Sequence, residues 1–259
     1  MFKFLLITFI FSSNFLDFTF LRIVKADLQN SLLLEGIEKI KRDDFEGALN
    51  DINKFLKQDP TNWEAYHHRG NSKYNLNDFK GAISDYSKAI ELNPNPWEIS
   101  FYRRGYSFQK LGNYKNAISD YNLALKVNPK YEDAYFDRGF LKAELNDFNG
   151  AIDDYSKYLE LVPDDYVAYR NRGISKQKLK DFEGAISDYN LALKFNPTYE
   201  DAYFSRAFLK RKLNDFNGAI DDFSKYLELV PEDYVAYRNR GIAKQKLKDF
   251  KGAISDFNS

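Results

Sequence analysis

Residues Tyr131 to Pro163 read YEDAYFDRGFLKAELNDFNGAIDDYSKYLELVP, and Tyr199 to Pro231 read YEDAYFSRAFLKRKLNDFNGAIDDFSKYLELVP. Looser copies fill nearly everything from about Gln29 onward. The period is about 34 residues, and a fixed period of that length belongs to arrays of helical hairpins. Three small marks set the register. A glycine recurs at Gly36, Gly70, Gly105, Gly139, Gly173 and Gly241, with Ala207 in the sixth place. An alanine follows at Ala48, Ala82, Ala117, Ala151, Ala185, Ala219 and Ala253. A proline closes each unit at Pro60, Pro94, Pro129, Pro163, Pro197 and Pro231. Small residues let helix backbones approach, and proline stops a helix from running on. An aromatic (Phe45, Phe79, Tyr114, Phe148, Phe182, Phe216, Phe250) stands just after a short polar turn. Each unit therefore reads as helix, turn, helix and stop, with turns at Asn77-Asp78, Gly112-Asn113, Asn146-Asp147, Lys180-Asp181, Asn214-Asp215 and Lys248-Asp249.

These residues resemble the tetratricopeptide repeat family, whose pattern places a large aromatic, a small residue, alanine, an aromatic and proline in that order. Tyr66, Phe101, Tyr135, Tyr169, Tyr203 and Tyr237 fill the first aromatic place. The next aromatic place departs from the pattern and holds Lys73, Lys142, Lys176, Lys210 and Lys244, with Phe108 the exception. A lysine can lay its methylenes on the core and keep its amine in water. The resemblance implies an all-α, right-handed solenoid of antiparallel helix pairs. The expected repeats are about 29–62, 63–96, 98–131, 132–165, 166–199, 200–233 and a shortened 234–259. Repeats four and five match repeats six and seven at roughly five positions in six, which reads as duplication of a two-repeat unit.

Lys plus Arg equals Asp plus Glu at 38 each, so net charge gives no case for wholesale nucleic-acid or membrane-surface binding. Cysteine is absent, which excludes disulfides and cysteine metal sites. Residues 1–26 differ from the rest. Lys3 precedes the apolar run Phe4 to Phe11, and Val24-Lys25-Ala26 precedes Asp27. This reads as a secretory leader cleaved after Ala26, leaving 27–259 as the repeat array and an exported product. The run is too short to span a bilayer, so membrane attachment would come only through an uncleaved leader. The first repeat is greasy at Leu32, Leu33, Leu34, Ile37 and Ile40, as suits the end of an array. Sequence alone leaves open whether Ser259 is a true C-terminus.

Tyr135, Gly139, Lys142 and Leu145 share one helical face, which is expected to pack on the second helix. A neighbouring stripe runs through Phe136, Phe140 and Ala143. In tetratricopeptide proteins this stripe lines the concave groove that takes partner peptides. The resemblance thus implies a groove beginning at Leu33, Ile37 and Ile40, followed by His67, Asn71 and Tyr74. Tyr102, Tyr106 and Gln109 come next. Repeats four and six add Phe136, Phe140, Phe204 and Phe208. Repeats five and seven add Arg170, Asn171, Ile174, Gln177 and Lys178, then Arg238, Asn239, Ile242, Gln245 and Lys246. Arginines grip carboxylates and aromatics receive apolar anchors. The same side chains also suit packing on an adjacent repeat. Some family members bind C-terminal carboxylates through a Lys-Asn-Asn-Lys-Arg clamp. Here those places hold His67, Asn71, Arg103, Asp133 and Asp137, and the aspartates repel an anionic terminus.

Arg69, Arg104, Arg138, Arg172, Arg206 and Arg240 are expected to pair with Asp85, Asp120, Asp154, Asp188, Asp222 and Asp256, tying the two helices of each repeat. The Asp153-Asp154 and Asp221-Asp222 pairs do not converge, because adjacent residues on a helix point apart. No phosphate-cradling loop, nucleophile triad or metal-spaced histidine pair is present, so no catalytic residue, cofactor or metal is expected. The expected function is a non-catalytic scaffold that holds a protein or peptide. The alternatives are an RNA-reading helical array, disfavoured by charge and leader, and a regulatory arm of a larger enzyme.

Overall fold

The computed structural model describes residues 31–259. The leader expected at 1–26 lies outside the described residues. Those that are described form fourteen helices and no strand. Helix α1 covers 31–41. It is followed by α2 (Phe45–Gln58), α3 (Trp63–Asn75), α4 (Phe79–Leu92), α5 (Glu98–Lys110) and α6 (Tyr114–Val127). Then come α7 (Glu132–Glu144), α8 (Phe148–Leu161), α9 (Tyr166–Lys178), α10 (Phe182–Phe195), α11 (Glu200–Lys212), α12 (Phe216–Leu229), α13 (Tyr234–Lys246) and α14 (Phe250–Phe257).

The chain divides into a first compact unit ending at Pro129 and a second spanning Lys130–Ser259. In the first unit α3 pairs with α4 and α5 with α6, while α2 packs on α3 and α4 on α5. In the second unit the pairs are α7·α8, α9·α10, α11·α12 and α13·α14, with each second helix packing on the next first helix. Both units are stacks of consecutive helical hairpins, the all-α solenoid class.

The turn inside each hairpin explains why the sequence punctuates so regularly. In the turn between α3 and α4, Asp78 N–H donates to the Lys73 carbonyl at 2.9 Å and Asn77 N–H to the Tyr74 carbonyl at 3.0 Å. This is the Schellman closure of a helix end, and it needs a left-handed residue between them. Asn77 has φ 62°, and Asp43, Gly112, Asn146, Lys180, Asn214 and Lys248 repeat the conformation at 60–74°. Asp78 then caps α4, accepting from Gly81 N–H at 2.9 Å. One residue thus ends a helix and starts the next. Asp44, Asp147, Asp181, Asp215 and Asp249 do the same. Such a cap contributes about 1 kcal/mol.

The glycines of the second to fifth repeats and of the seventh have a ring lying against them, whereas Gly36 faces Ile52. A Cβ on Gly173 would come within 2.8 Å of Tyr189 Cε1, and one on Gly70 within 2.8 Å of Tyr86 Cε1. Tyr86, Tyr121, Tyr155, Tyr189 and Phe223 are fully buried in this way. Burying a side chain of that size stabilises by roughly 1.5–3 kcal/mol before entropy. The alanines Ala48, Ala82, Ala117, Ala151, Ala185 and Ala219 have no exposed surface. Leu145, expected on the packing face, is 53% exposed. It is the C-cap of α7, where the helix ends and the face with it.

The expected arginine–aspartate pairs are present in six repeats, with Nε to Oδ2 at 2.7–2.9 Å. The lysine amines are not left to water alone. Lys73, Lys142, Lys176, Lys210 and Lys244 place Nζ 2.8–2.9 Å from the same carboxylates. The reason is reach: the lysine lies one turn beyond the arginine on α3, α7, α9, α11 and α13, above the same buried aspartate. Arg172 Nη1 also donates to Ser156 Oγ of the preceding hairpin at 3.1 Å. Arg69, Arg104, Arg206 and Arg240 make the equivalent bond to Asn53, Ser87, Asn190 and Ser224. One guanidinium therefore joins three helices. The first repeat lacks the arginine, and Lys39, 2.5 Å from Asp51, and Lys54, 3.2 Å from it, take the place.

Candidate peptide-binding surface

In the first unit the expected groove residues are largely committed to one another. Tyr102 packs near Tyr106 and Tyr121, with centroids 6.4 and 5.6 Å away. Tyr106 also meets Tyr74 at 5.6 Å and carries the Lys110 ammonium 4.9 Å over its face. Gln109 Oε1 accepts from Tyr121 Oη at 2.6 Å.

His67 is buried within a closed polar network. Arg103 and Tyr86 both donate to Asn71 Oδ1, at 3.2 and 2.8 Å. Arginine can only donate, so the amide nitrogen of Asn71 faces His67 Nε2, 3.2 Å away. Nε2 is therefore the acceptor, and Nδ1–H donates to Ser100 Oγ at 2.8 Å. Burial, helped by His68 and Arg103, pushes the His67 pKa down to about 3. Burial likewise pushes His68 down to about 4. Trp97 closes the top of the site, 5.2 Å from the His67 ring.

The second unit is more open. A hollow of about 320 Å³ is lined by Phe140, Ala143, Arg170, Asn171, Ile174 and Lys178, with Glu144, Asn146, Phe148, Tyr155 and Ser175 completing it. A second, of about 230 Å³, is lined by Arg170, Ile174, Gln177, Tyr189, Phe204, Ser205 and Phe208. Arg170 belongs to both. A third, of about 500 Å³, lies at the last hairpin between Tyr234, Arg238, Ile242, Asp256, Phe257 and Ser259.

Within this frame the four phenylalanines divide into two kinds. Phe136 lies half-buried, 5.7 Å from Tyr155 and 5.1 Å from Tyr158. Phe204 repeats this against Phe223 and Tyr226. Phe140 and Phe208, one turn on, are 41% and 39% exposed. Arg170, Asn171 and Gln177 are half-buried, and Lys178 is exposed. Gln177 Oε1 is taken by Tyr189 Oη at 2.9 Å, leaving its amide nitrogen toward the hollow. In repeat seven, Arg238, Gln245 and Lys246 are exposed, but Asn239 is buried and donates to its own helix at the Val235 carbonyl, 2.7 Å away.

Sequence reasoning missed Asp201, whose Oδ2 lies 3.5 Å from Arg170 Nη2. It also missed Arg211, whose guanidinium stands 5.1 Å over the Phe208 ring. Arg211 replaces Ala143 of the earlier copy, so the comparison of duplicated units held the signal. No comparable pattern pointed to Asp201, which meets Arg170 from a helix two elements on.

A tetratricopeptide repeat family model matches residues 63–96 and 99–131, and a second one matches 167–199. No curated protein matches the sequence. Solved structures match well in shape. The crystal structure of MamA is 24% identical, covers 65% of this chain and 92% of its own, and has a TM-score of 0.61. YrrB, described as a TPR protein with an unusual peptide-binding site, is 22% identical over 68% of this chain and 90% of its own, with a TM-score of 0.63. The C-terminal part of a TPR repeat-containing protein from Cytophaga hutchinsonii is 18% identical over 86% of this chain and 92% of its own, with a TM-score of 0.76. At such identities these likenesses concern the fold.

Proposed function

The chain is a tetratricopeptide repeat protein, and from that premise we propose that it is a non-catalytic scaffold holding an extended protein segment on the surface of its second unit. The observation that supports this is the pair of hollows sharing Arg170, walled by the exposed rings Phe140 and Phe208 and rimmed by cations. Pockets for single side chains, separated by charged groups, suit a chain that alternates apolar anchors with polar residues. Residues of YrrB do not transfer at its level of identity, but a peptide-binding site on the same fold is consistent with the reading. If the leader read from the sequence is cleaved, the scaffold works outside the compartment of synthesis and its partner is an exported or surface protein.

The test is the double variant Phe140→Ser, Phe208→Ser, which should keep its helicity and melting because both rings are already part-exposed. In capture from an extract of the host, the variant should lose the partner, since aromatic anchors of this kind each contribute about 2 kcal/mol or more. Retention of every partner by the folded variant moves the site elsewhere on the chain.

A further inference from the structure

Arg170 stands where four of the other repeats set a ring and the first sets Leu33. The equivalent residues are His67, Tyr102, Phe136 and Phe204, with Arg238 in the last repeat. Phe136 and Phe204 pack onto the aromatic of their own second helix, Tyr155 and Phe223. In repeat five the same position brings a guanidinium into that layer, beside Tyr189. The result is an unmet demand. Among the described residues, two buried side-chain nitrogens or oxygens lack a hydrogen-bond partner, and they are Arg170 Nε and Arg211 Nε. Both stand by Phe208: Arg170 lines the same hollow, and Arg211 covers the ring. Leaving a buried donor unmade is unfavourable, and local rules broken in this way mark sites where something else completes the bond.

The internal counter-ion of Arg170 is weak. Asp201 Oδ2 is 3.5 Å from Nη2, and the aspartate side chain is 53% exposed against 27% for the arginine. A charge-assisted bond runs at about 2.7–2.9 Å. The structural pairs of this chain meet that standard, as Arg172 and Asp188 do at 2.7 Å. Asp201 therefore neutralises Arg170 without occupying its fork.

We propose that Arg170 is a carboxylate fork: it takes one carboxylate of an extended peptide, displacing Asp201, while apolar side chains on either side of that carboxylate enter the two hollows. This rests on the groove reading given above and adds the chemistry of the ligand. Glu144 on the rim of the larger hollow and Asp201 beside the fork oppose a doubly charged group, so a carboxylate is favoured over a phosphate. Asp201 competes with the ligand for the same cation. Its removal therefore tightens binding, whereas a merely structural pair would loosen on losing either member.

The experiment measures anisotropy of labelled synthetic dodecapeptides binding to the full chain at fixed salt. Each peptide carries two phenylalanines separated by two to five residues. The intervening residues are Glu, Gln or Lys, and the Glu set is made with free and with amidated C-termini. The Glu set should bind about tenfold tighter than the Gln set, as a charge-assisted pair replaces a neutral one. Arg170→Gln should abolish that preference and leave the Gln set unchanged. Arg170→Lys should lose most of it, because an ammonium lacks the fork. Asp201→Asn should strengthen binding of the Glu set several-fold, and the Arg170 Nε–H resonance should shift on adding it. Equal binding of free and amidated forms assigns the carboxylate to a side chain, as proposed; binding of the free form alone overturns the proposal, because a C-terminal carboxylate has no residue beyond it to fill the second hollow. Equal binding of Glu and Gln sets, weaker binding by Asp201→Asn, or no binding by any set overturns the proposal. In that event the serine double variant still decides the groove: lost partner capture leaves the scaffold reading standing without the fork.

Discussion

Asp188 holds two cations at once, Arg172 at 2.7 Å and Lys176 at 2.8 Å, and is itself almost wholly buried. The three residues should not be equivalent under mutation. Removing Arg172 leaves the carboxylate one partner. Removing Asp188 strands two partly buried cations, and breaking a buried pair from one side costs about 3–5 kcal/mol. Since both cations keep some contact with water, about 3 kcal/mol is the expected loss for Asp188→Ala, with a smaller loss for Arg172→Ala. Urea unfolding of the single and double variants measures this. The double should lose less than the sum, with a coupling of about 0.5–3 kcal/mol. Strict additivity would mean that the guanidinium spends its time elsewhere. At this scale the sequence was only half readable. Arginine and aspartate recur in step, which pointed to a pair. That lysine completes the set depends on the height of one side chain above another helix, which spacing along the chain does not reveal.

At the scale of the hairpin, α3 and α5 enclose the histidine network, and its protonation behaviour follows from its closure. His67 accepts at Nε2 and donates at Nδ1, and every neighbour is fixed by a partner of its own. A proton on Nε2 has no acceptor there and Arg103 nearby. The folded pKa, about 3, lies below the ordinary value of 6.5. The unfolded chain therefore binds a proton first as pH falls. The contribution of neutral His67 to stability is complete above about 6.5 and is lost progressively as pH falls toward about 3. By pH 5 the loss should reach about 2 kcal/mol at 1.36 kcal/mol per pH unit, with His68 adding in the same direction. Trp63 and Trp97 are the two tryptophans of the chain, meet edge to face with centroids 4.5 Å apart and cover the site, so their fluorescence in urea between pH 7.5 and 5 reads the effect directly. A stability independent of pH over that range would show His67 open to water. The turns of these hairpins were legible to the residue, because Schellman closure and capping are local chemistry. The network was not: it needs Ser100 and Arg103 from the next hairpin, and histidine beside histidine has no spacing signature.

Across the whole molecule, periodicity in the sequence was enough to give the solenoid class, since each hairpin buries its apolar faces against neighbours built on the same plan. The candidate site was legible only as stripes. Sequence placed Phe140, Phe208, Arg170 and Lys178 on one side of their helices, but not which rings lie open, nor that Arg170 ends with a donor unmet. That asymmetry comes from packing within each hairpin, where Phe136 and Phe204 are drawn onto the aromatics of their own second helix and their neighbours one turn on are left out. The leader is a separate expectation for the intact protein. Sequencing the N-terminus of material from the host should return Asp27 as the first residue; Met1 on a soluble product would refute export, and Met1 on a membrane-bound product would mean the leader is kept as an anchor.

The turn within each hairpin has three residues in every repeat, from Arg42 to Asp44 through to Leu247 to Asp249. Among the described residues, the connection between hairpins has four residues except between α4 and α5, where Asn93 to Trp97 makes five. The spare residue fell where no side chain serves two helices. Inside the hairpin, an added residue would separate the left-handed position from the aspartate that follows it, and both the closing and the opening of a helix would fail together. The gene is thus left with a coarse alphabet for changing its length. It can stretch a connection slightly, or it can add and remove hairpins whole. The near-identical stretch of two hairpins that ends the chain is what a lineage confined to that alphabet would write.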